Sequence, residues 1–224
     1  VLHAADLGAP RAYGYRPGGR RHLELPATAR PGQERLTLPC LAFVLRHPSA
    51  GVVLVDTGLH PDAHESLRKD LGTFMSVVLR GLRPAGPPFD AQLREAGVDP
   101  GDVTQVVMTH LHADHTGGMR LLPRAEFVVA AQEWRAATGP GAARQGYVAG
   151  HLPPEDRVHL VDVEGEGEPD GPFGRTLDLL GDGTIRLLST PGHTRGHLSV
   201  LLALGDGREV LLAGDSAYTR RGID

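Results

Sequence analysis

Three histidines and one aspartate lie within six positions of this chain, between His110 and His115. They follow an apolar stretch at residues 103–108, whose composition predicts a buried strand. Because side chains alternate along a strand, His110 and His112 are expected on the same side, and the chain is expected to turn at Asp114 and His115. Imidazole and carboxylate groups together suit zinc, and also iron, cobalt or manganese. The segment therefore predicts metal ligands gathered at the carboxyl end of a strand.

Two later segments repeat this arrangement. The apolar run at residues 185–188 leads through a Pro-Gly turn to His193, and the apolar run at residues 210–212 leads to Asp215. Each run predicts a strand that delivers a metal-type ligand at its end. Three strand ends with such ligands indicate a site assembled from distant parts of the sequence, which is stronger support than any single motif.

The order of these motifs resembles that of the metallo-β-lactamase superfamily. The motifs that carry the resemblance are His110-x-His112-x-Asp114-His115, His193 in Pro-Gly-His-Thr, Asp215 in Ala-Gly-Asp, and an Asp56-Thr57-Gly58 turn after an apolar strand. The likeness extends over residues 41–218. It implies an α/β protein with the αββα sandwich fold, in which two mixed sheets are flanked by helices and two metal ions lie in a cleft at one edge.

The resemblance also implies a role for each ligand. Three residues are expected to bind one metal ion: His110, His112 and His193. Asp114 and His115 are expected to bind the second, with the carboxylate of Asp215 bridging both. The expected cofactors are two divalent ions, zinc in the first place, with iron, cobalt or manganese as alternatives.

Other residues near these motifs are expected to act indirectly or not at all. Asp56 is expected to orient ligands without binding metal, or alternatively to form an Asx turn before Gly58. His197 is expected to be a structural histidine or a hydrogen-bond donor beside the ligands. The histidines without a motif are expected at the surface: His60, His64, His151 and His159.

Two features resemble the N-acyl homoserine lactonase branch of the family. Tyr218 stands three residues after Asp215, where a tyrosine of that branch faces the substrate. The stretch Gly72-Thr73-Phe74-Met75, followed by Leu79 and Leu82, resembles an apolar segment that covers the acyl chain. Phe74, Met75 and Leu79 are therefore candidate substrate-binding residues, although such a helical stripe is more often part of a core.

The function that the resemblance implies is hydrolysis of lactones, N-acyl homoserine lactones (quorum quenching) among them, by a hydroxide that bridges two metal ions. Asp114 is expected to move a proton from the nucleophile to the leaving alkoxide, and Tyr218 to donate a hydrogen bond to the carbonyl or ring oxygen. Three alternatives remain open: a thioester or β-lactam hydrolase of the same fold, a single-iron dioxygenase that uses only the first site, and a non-catalytic metal-binding module.

The resemblance implies a small molecule with an acyl or lactone group as the partner, and charge and composition disfavour nucleic acid and a membrane. The formal net charge of −4 disfavours nucleic acid, because phosphate binding needs a concentrated basic surface. No uninterrupted apolar run approaches membrane-spanning length, and the first thirty residues contain no apolar signal core. A cytoplasmic protein is expected, and a protein whose signal peptide has been removed is the alternative. A homodimer is a further possibility that the sequence leaves open. Cys40 is the only cysteine and is expected to be buried in or beside a strand.

The end of the chain departs from the family pattern. The family's second metal usually takes a further histidine well beyond the bridging aspartate, whereas this chain stops at Asp224, nine residues after Asp215. It also starts at Val1 rather than at Met. We therefore expect one metallo-β-lactamase-like domain over residues 1–224 that lacks its C-terminal part; the alternative is a defective second metal site.

The apolar pattern predicts the remaining elements. The predicted strands lie at residues 41–45, 52–56 and 127–131. The predicted helices lie at residues 61–71, 89–96 and 132–137. Residues 138–156 are rich in Gly and Pro, which predicts a surface loop.

Overall fold

The computed structural model describes residues 1–10 and 35–218 of the chain. Seven strands of these residues form the larger of two sheets: β1 (Leu2–Pro10), β2 (Arg35–His47), β3 (Gly51–Val55), β4 (Leu82–Pro84), β5 (Gln105–Val107), β6 (Glu126–Ala130) and β7 (Val158–Val161). Their order is β4-β1-β2-β3-β5-β6-β7. β2 and β3, which correspond to the strands predicted at residues 41–45 and 52–56, form an antiparallel pair, whereas β3, β5, β6 and β7 run parallel.

Five strands of the described residues form the smaller sheet: β8 (Glu168–Pro169), β9 (Arg175–Asp178), β10 (Ile185–Ser189), β11 (Leu198–Ala203) and β12 (Glu209–Leu212). Their order is β12-β11-β10-β9-β8, and each neighbouring pair is antiparallel. The expected mixed pairing therefore holds for the larger sheet only, because short connections join successive strands of the smaller one and such connections favour antiparallel neighbours.

The helices of the described residues are α1 (Asp62–Glu65), α2 (Leu67–Val78), α3 (Phe89–Glu95), α4 (Ala113–Thr116), α5 (Ala131–Thr138) and α6 (Val163–Glu166). The helices predicted at residues 89–96 and 132–137 are confirmed as α3 and α5. The single helix predicted at residues 61–71 is wrong. Ser66 has an extended backbone that ends α1, and its side chain accepts from the Arg68 N–H to cap α2. Within the described ranges no helix is long and apolar enough to cross a membrane.

Neighbouring residues in the larger sheet point into two different cores. Leu54 and Phe127 belong to a cluster that includes residues of α3 and α5. Val55 and Val128, the next residue in each strand, belong to a cluster that includes strand residues of the smaller sheet. Helices thus cover one face of the larger sheet and the smaller sheet covers the other, while α6 contacts β9 and β10. This layering agrees with the predicted fold class.

The strand that leads to the histidines is shorter than the sequence predicts. β5 ends at Val107, and the backbone N–H groups of Thr109 and Leu111 bond to buried side-chain carboxylates instead of a neighbouring strand. α4 begins directly after His112. The alternation of side chains along a strand therefore does not apply to His110 and His112, because carboxylates replace the sheet's hydrogen bonds along this segment.

Residues 138–156 are a surface loop only in part. His151 lies in this segment and is completely buried, so its predicted surface position is wrong. Its two ring nitrogens bond to Thr116 and Asp70, which satisfies the polar atoms that burial removes from water. The other histidines without a motif lie at or near the surface, as predicted: His60, His64 and His159.

Candidate metal centre

The predicted ligands lie together where the two sheets meet. Each of them follows the end of a strand or begins the next helix. His110 and His112 follow β5, Asp114 and His115 lie in α4, His193 lies between β10 and β11, and Asp215 lies in a short 3-10 turn after β12. Because β5 belongs to the larger sheet and the last three strands to the smaller one, both sheets contribute to the site.

One group of possible ligands consists of His110, His112 and His193, whose ligand atoms lie within 4.8 Å of one another. The ring centroids are 4.6 to 4.8 Å apart. His112 Nδ1 and His193 Nε2 approach to 2.8 Å. The structure therefore brings together the three residues that the sequence assigns to the first metal ion.

A second group consists of His110, His115 and Asp215, also within 4.8 Å of one another. The Asp215 carboxylate lies between His193 of the first group and His115 of the second, since Oδ2 is 3.3 Å from His193 Nε2 and Oδ1 is 3.5 Å from His115 Nε2. One oxygen therefore faces each group, which is the arrangement that a bridging carboxylate needs.

Asp114 lies beside the second group rather than in it. Its Oδ2 is 3.9 Å from His115 Nε2 and accepts from the Cys40 thiol at 3.4 Å. Cys40 is buried in β2, and burial together with the carboxylates of Asp114 and Asp215 raises the pKa of its thiol, which keeps the donor protonated. The structure thus places His110 in the second group where the sequence predicts Asp114.

The atoms around His110 fit a bound metal ion. The Thr109 hydroxyl donates to Asp56, so it accepts from His110 Nδ1 at 3.1 Å, and the lone pair of the ring lies on Nε2. This Nε2 is buried and has no hydrogen-bond partner among the described residues. A buried acceptor left alone is costly, and a set of imidazoles with a carboxylate suits zinc and similar ions. His110 is also the residue that both groups share.

The protonation states of the site differ between the two groups. Burial and the neighbouring imidazoles lower the pKa of His110 well below its ordinary value and that of His112 to about 3, so both rings are neutral, as metal ligands must be. Burial also acts to lower the pKa of His115, but the carboxylates of Asp56 and Asp215 outweigh it and raise that pKa. The same attraction lowers the pKa of Asp215 in spite of its burial. A positive charge is therefore favoured between these carboxylates, and a metal cation would supply it as a proton does.

Asp56 bonds to Thr109, the residue before His110, and to the ring of His115. Its Oδ1 accepts from the Thr109 N–H at 2.8 Å, and its Oδ2 is 2.7 Å from the Thr109 hydroxyl and 2.9 Å from His115 Nδ1. Its backbone has a φ of 59°, which residues other than Gly rarely adopt. A simple Asx turn does not account for contacts to residues 53 and 59 positions away, so the geometry favours the expected orienting role.

His197 holds the segment that carries Asp215. Its Nδ1 lies 2.8 Å from the Thr190 hydroxyl, and its Nε2 accepts from the Asp215 backbone N–H at 3.0 Å. Burial, aided by the nearby His193, lowers the pKa of His197 to about 4, so Nε2 stays an acceptor at neutral pH. His197 therefore fits the expected structural role, with both ring nitrogens bonded, and it accepts from the Asp215 segment rather than donating to it.

A buried chain of hydrogen bonds supports His112 from outside the site. The Thr116 hydroxyl donates to the His112 carbonyl at 3.2 Å and lies 2.8 Å from His151 Nδ1. His151 Nε2 is 3.0 Å from Asp70 Oδ1, which also accepts from Arg120 at 2.9 Å. No pattern in the sequence predicts these hydrogen bonds, because Asp70 and His151 are 81 residues apart and carry no motif.

Tyr218 lies at the site, whereas the candidate acyl-chain residues are separated from one another. The Tyr218 hydroxyl is 2.8 Å from His193 Nδ1. Met75 is buried in a third core cluster, and Leu79 packs partly against the same cluster. Phe74 is 55% exposed. The stripe predicted from the sequence is therefore divided between core and surface.

Comparison with known proteins gives the same family as the motifs. A family model described as the metallo-beta-lactamase superfamily matches residues 35–224. The N-acyl homoserine lactonase AttM of Agrobacterium fabrum is 33% identical over 183 residues, which cover 81% of this chain and 66% of that relative. The chain thus spans just under two thirds of the length of AttM.

Solved structures share the fold at lower sequence identity. A crystal structure of a B. thuringiensis AiiA variant, with N-decanoyl-L-homoserine at its active site, has a TM-score of 0.68 and 22% identity, covering 100% of this chain and 80% of that one. AidC, a dizinc quorum-quenching lactonase, has a TM-score of 0.57 and 13% identity, covering 93% of this chain and 68% of that one. These likenesses establish the fold.

Proposed function

Because the chain belongs to the metallo-β-lactamase superfamily, we propose that it is a metal-dependent hydrolase that opens the ester ring of lactones, N-acyl homoserine lactones among them. The observation that carries this proposal is the Asp215 carboxylate, which presents one oxygen to each of two histidine groups. Two divalent ions held side by side are suited to ester hydrolysis. The position of Tyr218 and the similarity to AttM support a lactone as substrate.

The proposed cofactors are two divalent ions, zinc in the first place. The residues that would hold the first are His110, His112 and His193. His115 would hold the second, with Asp215 shared between both and Asp114 as a further donor. When bound, such ions polarise the ester carbonyl and promote the ionisation of water at neutral pH.

Asp114 is the proposed proton carrier. Its carboxylate lies 3.9 Å from His115 Nε2 and is oriented by the Cys40 thiol. A carboxylate in this position can accept the proton that the attacking water loses and deliver it to the alkoxide that leaves when the ring opens. A serine or cysteine nucleophile is not required for this route.

Tyr218 is the proposed donor to the substrate. When His193 uses Nε2 as a ligand, its Nδ1 carries the proton and donates to the Tyr218 oxygen, 2.8 Å away. The phenol then directs its own hydrogen to another acceptor, which we assign to the carbonyl or ring oxygen of the lactone. That hydrogen bond strengthens as negative charge develops on the oxygen.

The second ligand group favours this function over the single-iron alternative. A dioxygenase that used only His110, His112 and His193 would leave the group of His110, His115 and Asp215 without a role. We also propose that residues 1–224 belong to one domain, since the cluster between the two sheets draws residues from both.

The proposal is tested by metal analysis combined with a substrate panel. We expect two metal ions per chain and hydrolysis of a chain-length series of acyl homoserine lactones, with one proton released per turnover. The same preparation is assayed with a glutathione thioester and a β-lactam. Turnover of either of these without turnover of any lactone would replace the proposed substrate, and a protein with a single iron and no hydrolysis would replace the proposed reaction.

A further inference from the structure

Glu133 is a buried carboxylate that the proposed reaction does not use. It lies in α5 and is only 1% exposed. Its Oε1 accepts from the Leu111 backbone N–H at 3.0 Å, and its Oε2 accepts from the Gly196 backbone N–H at 3.2 Å. A buried carboxylate is costly unless hydrogen-bond donors hold it, and here each oxygen has one.

The two donors belong to the two segments that carry the histidine ligands. Leu111 stands between His110 and His112, in the segment after β5 of the larger sheet. Gly196 stands between His193 and His197, in the connection from β10 to β11 of the smaller sheet. The Glu133 carboxylate therefore bonds to both segments that carry histidine ligands, although these segments are far apart in the sequence.

Two further features position Glu133, one at its backbone and one at its side chain. A Cβ on Gly196 would lie 2.3 Å from the Glu133 backbone nitrogen. Only Gly at position 196 therefore allows the connection from β10 to β11 to approach α5 this closely. The Tyr147 side chain forms a hydrogen bond with Glu133, and burial together with this carboxylate raises the pKa of Tyr147. Tyr147 is also paired with His112 through an isolated β-bridge.

From these contacts we propose that Glu133 is a positioning residue that holds the His110–His112 segment and the His193 segment at the separation that metal binding requires, an inference that rests on the proposed metal centre. Glu133 does not touch substrate or metal. It acts through the backbone beside the ligands, so its removal changes the affinity for metal and the geometry of the bound ion.

The test compares Glu133→Gln with Glu126→Gln. The first variant keeps the shape of the side chain but turns an NH2 group toward one of the two backbone N–H groups, so one link is lost. The second makes the same change of charge at an exposed residue of β6 and is the matched control. Metal affinity is measured by competition with a chelator, and the geometry of the site by the absorption spectrum of the cobalt(II)-loaded protein.

We expect Glu133→Gln to bind metal about 10- to 100-fold more weakly, with a changed cobalt spectrum, and the control to match the parent protein. Unchanged affinity and spectrum, with only a lower melting temperature, would reduce Glu133 to a structural role. If Glu133→Gln does not fold, Tyr147→Phe removes one contact to the carboxylate and keeps the ring. Metal affinity is then expected to fall several-fold, and an unchanged value would overturn the inference. A parent protein that binds no metal would instead overturn the proposed function.

Discussion

A single carboxylate, that of Asp56, serves both the backbone before His110 and the ring of His115. Its two oxygens accept three hydrogen bonds, from the N–H and hydroxyl of Thr109 and from His115 Nδ1. The NH2 group of an amide in its place would face at least one of these donors and could not accept from it. We expect Asp56→Asn to lower the free energy of unfolding by about 1–3 kcal/mol. We also expect about 10- to 100-fold weaker binding of the second metal.

Unfolding curves and metal content after dialysis check this prediction. Asp156→Asn, at an exposed position, is the control for the change of charge. Full retention of two metal ions and of stability in Asp56→Asn would show that Asp56 only shapes its own turn.

Tyr218 is predicted to act on the rate of the chemical step. Tyr218→Phe removes the hydroxyl that lies 2.8 Å from His193 Nδ1 and keeps the ring. We expect kcat on acyl homoserine lactones to fall on the order of 10-fold with little change in KM, because the lost hydrogen bond strengthens only as the oxyanion forms. Steady-state kinetics decide the matter, and a rise in KM at constant kcat would assign Tyr218 to substrate binding alone.

At the scale of elements, helix α2 presents neighbouring residues to different environments. Met75 is 3% exposed, whereas Phe74 is 55% exposed. We expect Met75→Ala to lower the free energy of unfolding by about 2–5 kcal/mol because it leaves a cavity. Phe74→Ala is expected to change it by no more than about 0.5 kcal/mol.

The same pair of variants tests the acyl-chain hypothesis. If Phe74 covers the acyl chain, Phe74→Ala raises KM for long-chain lactones more than for short-chain ones, since only long chains reach the lost ring. Chemical denaturation and a chain-length series of substrates give both readouts. If Phe74→Ala changes KM equally for all chain lengths, Phe74 does not contact the acyl chain.

The elements themselves follow the apolar pattern where burial is on both faces of a strand. The run at residues 103–108 contains β5, in which Val106 and Val107 are both fully buried, because a strand covered on both faces needs continuous apolar residues. The run at residues 210–212 lies in β12 as predicted, although Val210 and Leu211 are exposed there. The ends of helices near polar residues do not follow the apolar pattern. Ser66 breaks the predicted helix at residues 61–71, since its side chain caps α2 instead of continuing α1.

At the scale of the whole molecule, the candidate metal centre joins the two sheets. Its ligands come together only in the folded chain, so bound metal is expected to stabilise the native state. We compare the protein at a free metal concentration of about 100 times the Kd with the protein stripped of metal by a chelator. The free energy of unfolding is expected to be about 2.7 kcal/mol lower for the metal-free protein. Asp215→Ala removes the shared carboxylate, so this variant is expected to lose at least one metal ion, hydrolysis and most of that stabilisation.

Calorimetry with and without metal, together with metal analysis, checks this prediction. Equal melting temperatures for the metal-loaded and metal-free protein would mean that the site does not hold the sheets together. Full hydrolysis with two metal ions retained in Asp215→Ala would contradict the bridging role.

The amino-acid sequence by itself determined which residue types gather at the site. His110, His112, His193 and Asp215 each stand just after an apolar run, and chain order alone carries that information. Only the tertiary structure decided how they are grouped and what holds them. It places His110 in both groups and turns Asp114 toward Cys40.

Asp56 and His197 were predicted beside the ligands, but the other supporting residues, Glu133 and the pair of His151 and Asp70, could not be read from the sequence. Glu133 bonds to Leu111 across 22 residues, and His151 to Asp70 across 81. No periodicity or motif spacing connects such positions. A buried hydrogen bond depends on which atoms face each other after the sheets and helices have packed, so its partners are decided by the packing of the whole molecule.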